Sequence, residues 1–257
     1  MNQIHYTAIV DSHAELGDDI KIGPNTIVEA EAIIGDNVTI GANCLIASYA
    51  ELRNNVTIFH GVVLGTVPQD LKFSGEKTRL VIGEGTTIRE YAMLNRGTAQ
   101  HGESTVGKNC FLMAYSHVAH DCIIGDNVIL ANSVNLAGHV EVGDYAIIGG
   151  LVPVHQFVKI GVHCMIGGGF RVQQDVCPYS LVAGYPLKVV GLNSIGLSRR
   201  GFTKETITLL DKAFKYLFFS KLNTSQALEK ISSELDMIDE MKIILNFIKS
   251  STRGMIK

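Results

Sequence analysis

The sequence contains no tryptophan, and aromatic residues occupy only 7% of its 257 positions. Something other than aromatic packing must build its core. No stretch approaches 18 consecutive apolar residues, so no membrane-spanning helix is expected. The opening Met-Asn-Gln-Ile-His-Tyr lacks the charged start and apolar run of a signal peptide. No CxxC spacing links the five cysteines, which points to buried thiols, a reducing compartment and a cytoplasmic location. Large charge of either sign is also missing. The net charge is −3, which excludes an electrostatic nucleic-acid binder. That charge is uneven: residues 1–192 hold 11 Lys/Arg and 18 Asp/Glu, net −7, and residues 193–257 hold 11 and 7, net +4. A basic C-terminal part suits an acidic partner or a solvated helical surface. With 46% hydrophobic residues and 18% charged, the chain is not disordered and has ample material for a core.

What is present is a period of six. Stepping by six from Ile4 to Val172, 26 of 29 positions are Ile, Leu or Val, the exceptions being Asp70, Glu76 and Gln100. Usual composition would give roughly a quarter aliphatic. Gly often follows the aliphatic residue, as at Gly23, Gly41, Gly107 and Gly125, and Asn recurs two residues later, as at Asn25, Asn43, Asn109 and Asn127. Both tolerate a left-handed backbone at a corner. Two positions before each aliphatic the residue is small, and four of the five cysteines fall there. A short strand and a tight corner every six residues predict a parallel β-helix with a core of stacked aliphatics. Two interruptions, Gln69–Val81 and Gln100–Thr105, keep the frame and read as loops thrown out from a coil, where function commonly resides. After Asn193 the spacing becomes helical. Three apolar faces, led by Leu209–Phe218, Leu228–Ile238 and Met241–Ile248, with Thr203 and Thr224 as N-caps, predict a helical domain over 193–257 that follows a β-helix domain over 1–192 and caps its open end.

Residues 18 apart would stack if three hexads make one coil. His120 then lies beneath Gly138 and Gln156, and Asp121 beneath His139, with His155 and His117 nearby. A histidine oriented by a carboxylate is a general base near neutral pH. A glycine above it lets a backbone N–H approach an oxyanion. Zinc held by histidines of neighbouring coils is the other chemistry such a cluster suits; Asp121 and Gln156 fit polar substrate binding better.

The six-residue pattern resembles the hexapeptide-repeat left-handed β-helix. That resemblance, and not the period itself, implies the left hand and the 18-residue coil. The strings His117-Val118-Ala119-His120-Asp121-Cys122, Leu136-Ala137-Gly138-His139-Val140 and Val154-His155-Gln156-Phe157 resemble those of the acyl-carrier-protein-dependent UDP-N-acetylglucosamine O-acyltransferases, which open lipid A biosynthesis. So do Gln69-Asp70-Leu71-Lys72, Ser198-Arg199-Arg200-Gly201-Phe202 and Ser251-Thr252-Arg253-Gly254. The resemblance implies a left-handed parallel β-helix with a helical C-terminal domain. It implies transfer of a 3-hydroxyacyl chain from acyl carrier protein to the 3-position of the sugar. His120 would act as base, Asp121 as its support and Gly138 as oxyanion donor. Asp70, Lys72, His117, His139, His155 and Gln156 would line the sugar site, and Asn193, Arg199 and Arg200 would meet phosphates. Gly168 would set acyl-chain length. No cofactor or metal is required, and the acidic carrier protein matches the basic C-terminal part. The asparagine-led string before the arginine pair carries Ile195 where some relatives have glutamate, so a side-chain hydrogen bond to uridine is not expected there. A 3-amino sugar acceptor, an acyl-CoA donor and a zinc lyase of β-helix type are the alternatives. Asp70 and Lys72, 48 or more residues before His120, are expected at a different coil edge, to meet it across a subunit boundary in a homotrimer.

Overall fold

The computed structural model describes residues 1–257. Its frame residues, taken in turn, point inward from three faces of a prism. Every aliphatic residue of the frame from Ile22 to Val172 is buried, and these residues form one continuous core with the small residues two positions earlier. The first face runs from Gln3–Ile4 through Met165–Ile166, the second from Ile9–Val10 to Pro153–Val154, and the third from Glu15–Leu16 to Lys159–Ile160. Neighbouring strands of these runs are parallel and usually 18 residues apart, as Gln3 beside Lys21 and Ile129 beside Ile147. The fold is a left-handed parallel β-helix.

The asparagines do what the pattern predicts. Asn25, Asn43, Asn109 and Asn127 all have φ near +55°. The glycines of the repeat do something else. Gly107 and Gly125 are not in the left-handed region; a Cβ on Gly107 would lie 2.5 Å from the Gly125 carbonyl. They are small because the backbone of the next coil passes over them, so the hexad spends glycine on coil-to-coil approach and asparagine on the corner. The cysteines are all free and buried, as expected of core filler.

Both interruptions lie at one edge of the prism, between the second and third faces, and their limits differ from the sequence reading. Val63 pairs with Met93, thirty residues on, and Met93 with His117, twenty-four on. The extra residues are therefore twelve and six, placed between Thr66 and Arg79 and between Asn95 and Glu103. Glu103–Val106, assigned mostly to a loop from its sequence, is a strand in register with Arg79–Ile82. Once the extra hexads are subtracted, Leu64, Leu94 and Val118 stack in one column. His120 follows that column. The loop carrying Asp70 and Lys72 thus leaves from the same edge as His120, and the expectation of a different edge is corrected.

The two ends of the helix differ. At the start Gln3–Ile4 is exposed and pairs on one side only. At the other end Ser180–Ala183 pairs in parallel with Met165–Ile166, and Lys188–Leu192 then pairs antiparallel with it and closes the sheet edge. The expected helical cap is therefore preceded by a strand. Four helices follow: α1 (Ser194–Arg199), α2 (Lys204–Phe218), α3 (Thr224–Glu234) and α4 (Asp239–Ser250). Thr203 caps α2, its hydroxyl accepting from the Thr206 N–H. Asn223, not Thr224, caps α3, in a reciprocal capping box with Gln226, since an amide oxygen at this position reaches the third N–H as a hydroxyl does. Leu235 and Ile238 fall between α3 and α4 and still pack on the core.

The corner requirement can be checked at Asn127, at φ 57°. Asn127→Val should lower stability by about 1–2 kcal/mol, because a β-branched residue is strained in the left-handed region. Asn127→Gly should cost less, as measured by denaturant midpoints of the two variants.

Candidate active site

The edge between the second and third faces gathers six of the residues singled out from sequence. The strand His117–Val118 ends there, and the chain turns through His120 and Asp121. Asp121 takes up φ 58° and is fully buried. Its carboxylate accepts a 2.7 Å hydrogen bond at Oδ2 from His120 Nδ1. Thr98, on the shorter inserted loop, donates its N–H to Oδ1 at 2.8 Å and its hydroxyl to Oδ2 at 2.7 Å. The Asp121 N–H in turn donates to Ser104 Oγ at 2.8 Å. Burial raises the pKa of this carboxyl, but the bonds from His120 and Thr98 outweigh it and the net shift is downward. An ionised Asp121 holding the Nδ1 proton of His120 leaves Nε2 as the free lone pair.

Gly138 meets that nitrogen. A Cβ at 138 would lie 2.8 Å from His120 Nε2 and 2.7 Å from Cε1, so only glycine leaves the imidazole in place. The Gly138 N–H has no acceptor within the chain. This is a general property of the corner, since the N–H groups of His120 and Gln156 also lack one. At Gly138 the residue itself packs directly against the His120 ring.

His139, one coil above Asp121, completes the cluster. Its Nε2 is 3.7 Å from Asp121 Oδ2. Its ring is edge-on to His120 at 5.1 Å and stacked on Phe157 at 4.5 Å. Burial lowers its pKa, helped by His120 and His101 and opposed by Asp121 and Asp70. Burial likewise lowers the pKa of His117, which faces outward on the second face with Nδ1 3.2 Å from the Met93 carbonyl. His120, Asp121 and His139 place nitrogen and oxygen atoms within 4.8 Å of one another, the set from which a zinc reading starts. The His120 nitrogen turned toward that set is bonded to the carboxylate, an arrangement that orients the ring.

The remaining residues are distributed as follows. Asp70 Oδ1 accepts the Lys72 N–H at 3.0 Å, which shapes the longer loop. That loop is held over the edge by Phe73, whose ring lies under the Arg96 guanidinium at 5.5 Å. His155 Nδ1 is 3.1 Å from the Gln156 carbonyl, two coils above His120. Asn193, Arg199 and Arg200 are elsewhere, at the edge between the third and first faces. Asn193 is 8% exposed, and its side chain is occupied at both ends: Nδ2 donates to the His163 carbonyl and Oδ1 accepts the Gly196 N–H that starts α1. Arg200 lies 5.3 Å over the Tyr145 ring. Arg199 is exposed. Gly168 is exposed at the third edge, where a Cβ would be 3.0 Å from the Gly150 carbonyl oxygen.

Sequence reasoning missed Thr98, His101 and Phe157. The first two lie on an inserted loop, where the hexad gives no address. Phe157 was visible as the residue 18 after His139, in the same left-handed corner position at φ 63°.

Known proteins are similar to this chain in sequence and fold. The profile of the family described as "Udp N-acetylglucosamine O-acyltransferase; Domain 2" matches residues 175–256, and that of "Bacterial transferase hexapeptide (six repeats)" matches 13–48 and 103–138. An acyl-[acyl-carrier-protein]–UDP-N-acetylglucosamine O-acyltransferase of Chlorobium phaeobacteroides is 60% identical over 99% of this chain and 97% of its own. That of Aquifex aeolicus is 56% identical over 99% and 98%. The solved UDP-N-acetylglucosamine acyltransferase of Bacteroides fragilis superposes with a TM-score of 0.98 at 41% identity, covering 99% of this chain and 100% of that one. The protein is an acyltransferase of the hexapeptide-repeat class. Within that class it belongs to the acyl-[acyl-carrier-protein]–UDP-N-acetylglucosamine O-acyltransferase family.

A pH test follows from the second edge. His163 is sandwiched between Tyr145 and Tyr179. Burial and then Arg200 push its pKa down to about 4 from 6.5, against Asp144. A depressed folded pKa means full stability above pH 6.5, lost as the pH falls toward 4 while the unfolded chain takes up the proton first. Melting temperatures across that window should fall less steeply in His163→Phe than in the wild type.

Proposed function

We propose that the enzyme transfers a 3-hydroxyacyl chain from acyl carrier protein to the 3-hydroxyl of UDP-N-acetylglucosamine, the first step of lipid A biosynthesis. The observation that carries this reading is the His120–Asp121 pair, with Gly138 packed so closely on the imidazole that a Cβ there would lie 2.8 Å from the free Nε2. His120 Nε2 takes the proton of the sugar 3-hydroxyl as its oxygen attacks the thioester carbonyl carbon. The carbonyl π pair moves onto oxygen, and the Gly138 N–H donates to that oxyanion. When the tetrahedral species collapses, the C–S bond breaks and the His120 proton goes to the departing thiol. Asp121 stays ionised throughout and supports the imidazolium. Asp70, Lys72, His117, His139, His155 and Gln156 line the acceptor side, and no metal or other cofactor takes part.

Asn193, Arg199 and Arg200 stand on a different edge from His120. If they meet the same substrate, they do so from another subunit. A homotrimer that sets the third–first edge of one β-helix beside the second–third edge of the next supplies them. This replaces the loop-based argument for a subunit-spanning site. The net +4 of residues 193–257 supports docking of an acidic carrier protein. No helix is long and apolar enough to cross a membrane, and five unpaired buried cysteines suit a reducing, cytoplasmic setting.

Mass spectrometry of products from acyl carrier protein and acyl-CoA donors, with 3-hydroxyl and 3-amino sugars, tests the reading. Product from the carrier-protein donor and the 3-hydroxyl sugar is expected. His120→Ala should reduce turnover by about 10²–10⁴-fold with the fold intact, and near wild-type turnover would contradict the base assignment.

Chain length supplies a second test. Gly168 stands on the edge between the first and second faces, away from His120, and its role as the ruler, with preference for a long chain, rests on the resemblance. Gly168→Met should shift preference toward shorter donors, each lost methylene contact being worth about 0.8 kcal/mol. Competition between long and short donors reads this directly; an unchanged ratio removes Gly168 as the ruler.

A further inference from the structure

Where the edge meets the third face, Val176 pairs with Ile160 and sets Asp175 beside Lys159. The Asp175 side chain is fully buried. Oδ1 accepts the Lys159 N–H at 2.8 Å, and Oδ2 accepts the Ser251 hydroxyl at 2.6 Å. The backbone of Asp175 binds the same C-terminal segment. Its N–H donates to the Gly254 carbonyl and its carbonyl accepts the Ile256 N–H, both at 2.9 Å. Segment 251–256 is thereby stitched across the top of the active-site edge, although it is about 75 residues distant in the chain.

Arg253 lies between the stitches. One terminal guanidinium nitrogen is 3.2 Å from His155 Nδ1. No carboxylate pairs with Arg253, and its Nε is buried without a partner. A guanidinium can only donate. His155 Nδ1 must therefore accept, even though the Gln156 carbonyl also stands near it, and the ring proton resides on Nε2. The edge then carries an uncompensated cation and a neutral imidazole N–H donor, about 10 Å above His120 by two coil spacings. A forked cation beside a second donor is what a phosphate anion recognises.

We propose that Arg253, delivered by the Asp175-anchored C-terminal segment, binds a substrate phosphate at the active-site edge and positions His155 as a donor to the same group. This rests on the acyltransferase reading, in which both substrates are phosphorylated: the donor through phosphopantetheine and the acceptor through its diphosphate.

The experiment compares wild type with Arg253→Ala and Arg253→Lys. One arm measures transfer to UDP-N-acetylglucosamine from an acyl-phosphopantetheine and from the acyl-pantetheine lacking the phosphate. The other titrates UDP by calorimetry, without turnover. Loss of a charge-assisted contact predicts at least about a tenfold effect in Arg253→Ala. It appears as a lost preference for the phosphorylated donor if that phosphate is the ligand, or as weaker UDP binding if the diphosphate is. In either case kcat at saturation stays near the wild-type value, and Lys recovers part of the loss because it keeps the charge. Both arms unchanged, or equal losses on the two donors with UDP affinity intact, overturn the proposal. No transfer by the wild-type enzyme from any donor would count against the acyltransferase reading instead. Unchanged UDP affinity in Arg253→Ala would then overturn the role of Arg253 as well.

Discussion

The coils of this protein turn three corners each, with six residues per side, and from Asp19 onward the corners put a residue into the left-handed region. That backbone constraint underlies the rest of the structure. It selects asparagine where nothing else is asked of the corner, as at Asn37 and Asn55. It also fixes the spacing at which coils repeat, and so aligns the inward aliphatic residues into an unbroken core. Parallel strands only two residues long would not persist alone. Here all but the terminal strands are held by neighbours on both sides and by the column of side chains beneath them.

The active-site edge departs from the corner preference. Asp121, His139 and Phe157 occupy left-handed positions that favour glycine or asparagine, at a cost of order 1 kcal/mol each. The strain is offset locally: Thr98 and His120 bond the Asp121 carboxylate, and Phe157 stacks on His139. Successive corners are one strand spacing apart, about 5 Å, which is the reach of one side chain to the next. The coil therefore brings His120, Asp121 and Gly138 together without a flexible element. The two inserted loops then add contacts that no hexad position can reach.

How much of this the sequence disclosed follows from the same division. The frame obeys a fixed period and was legible from it, while the three-sided coil, and with it the stacking of His120 under Gly138, was legible through the resemblance. The edges of the inserted loops were not, because Glu103–Val106 reads as irregular until its pairing partner is known. Counting 18 across the loops misplaced Asp70, whereas subtracting the added hexads restores it to the His120 edge. The resemblance named Asn193 as a phosphate contact but could not show that its amide also starts α1 and holds the His163 carbonyl. Arg253 had a motif but no address, since its position depends on a tertiary contact with Asp175.

The unequal ends of the β-helix bear on how molecules of this shape meet. Its first strand, Gln3–Ile4, offers a free parallel edge. Continuing the coil into a second molecule would need that edge to meet the far end of another copy, head to tail, which is the geometry of an open filament. The far end is already taken by Lys188–Leu192, running antiparallel. Two starting edges brought face to face would run in opposite directions and out of the coil's register. The reversed strand thus takes the far edge of the first face out of head-to-tail pairing with the starting edge of another copy.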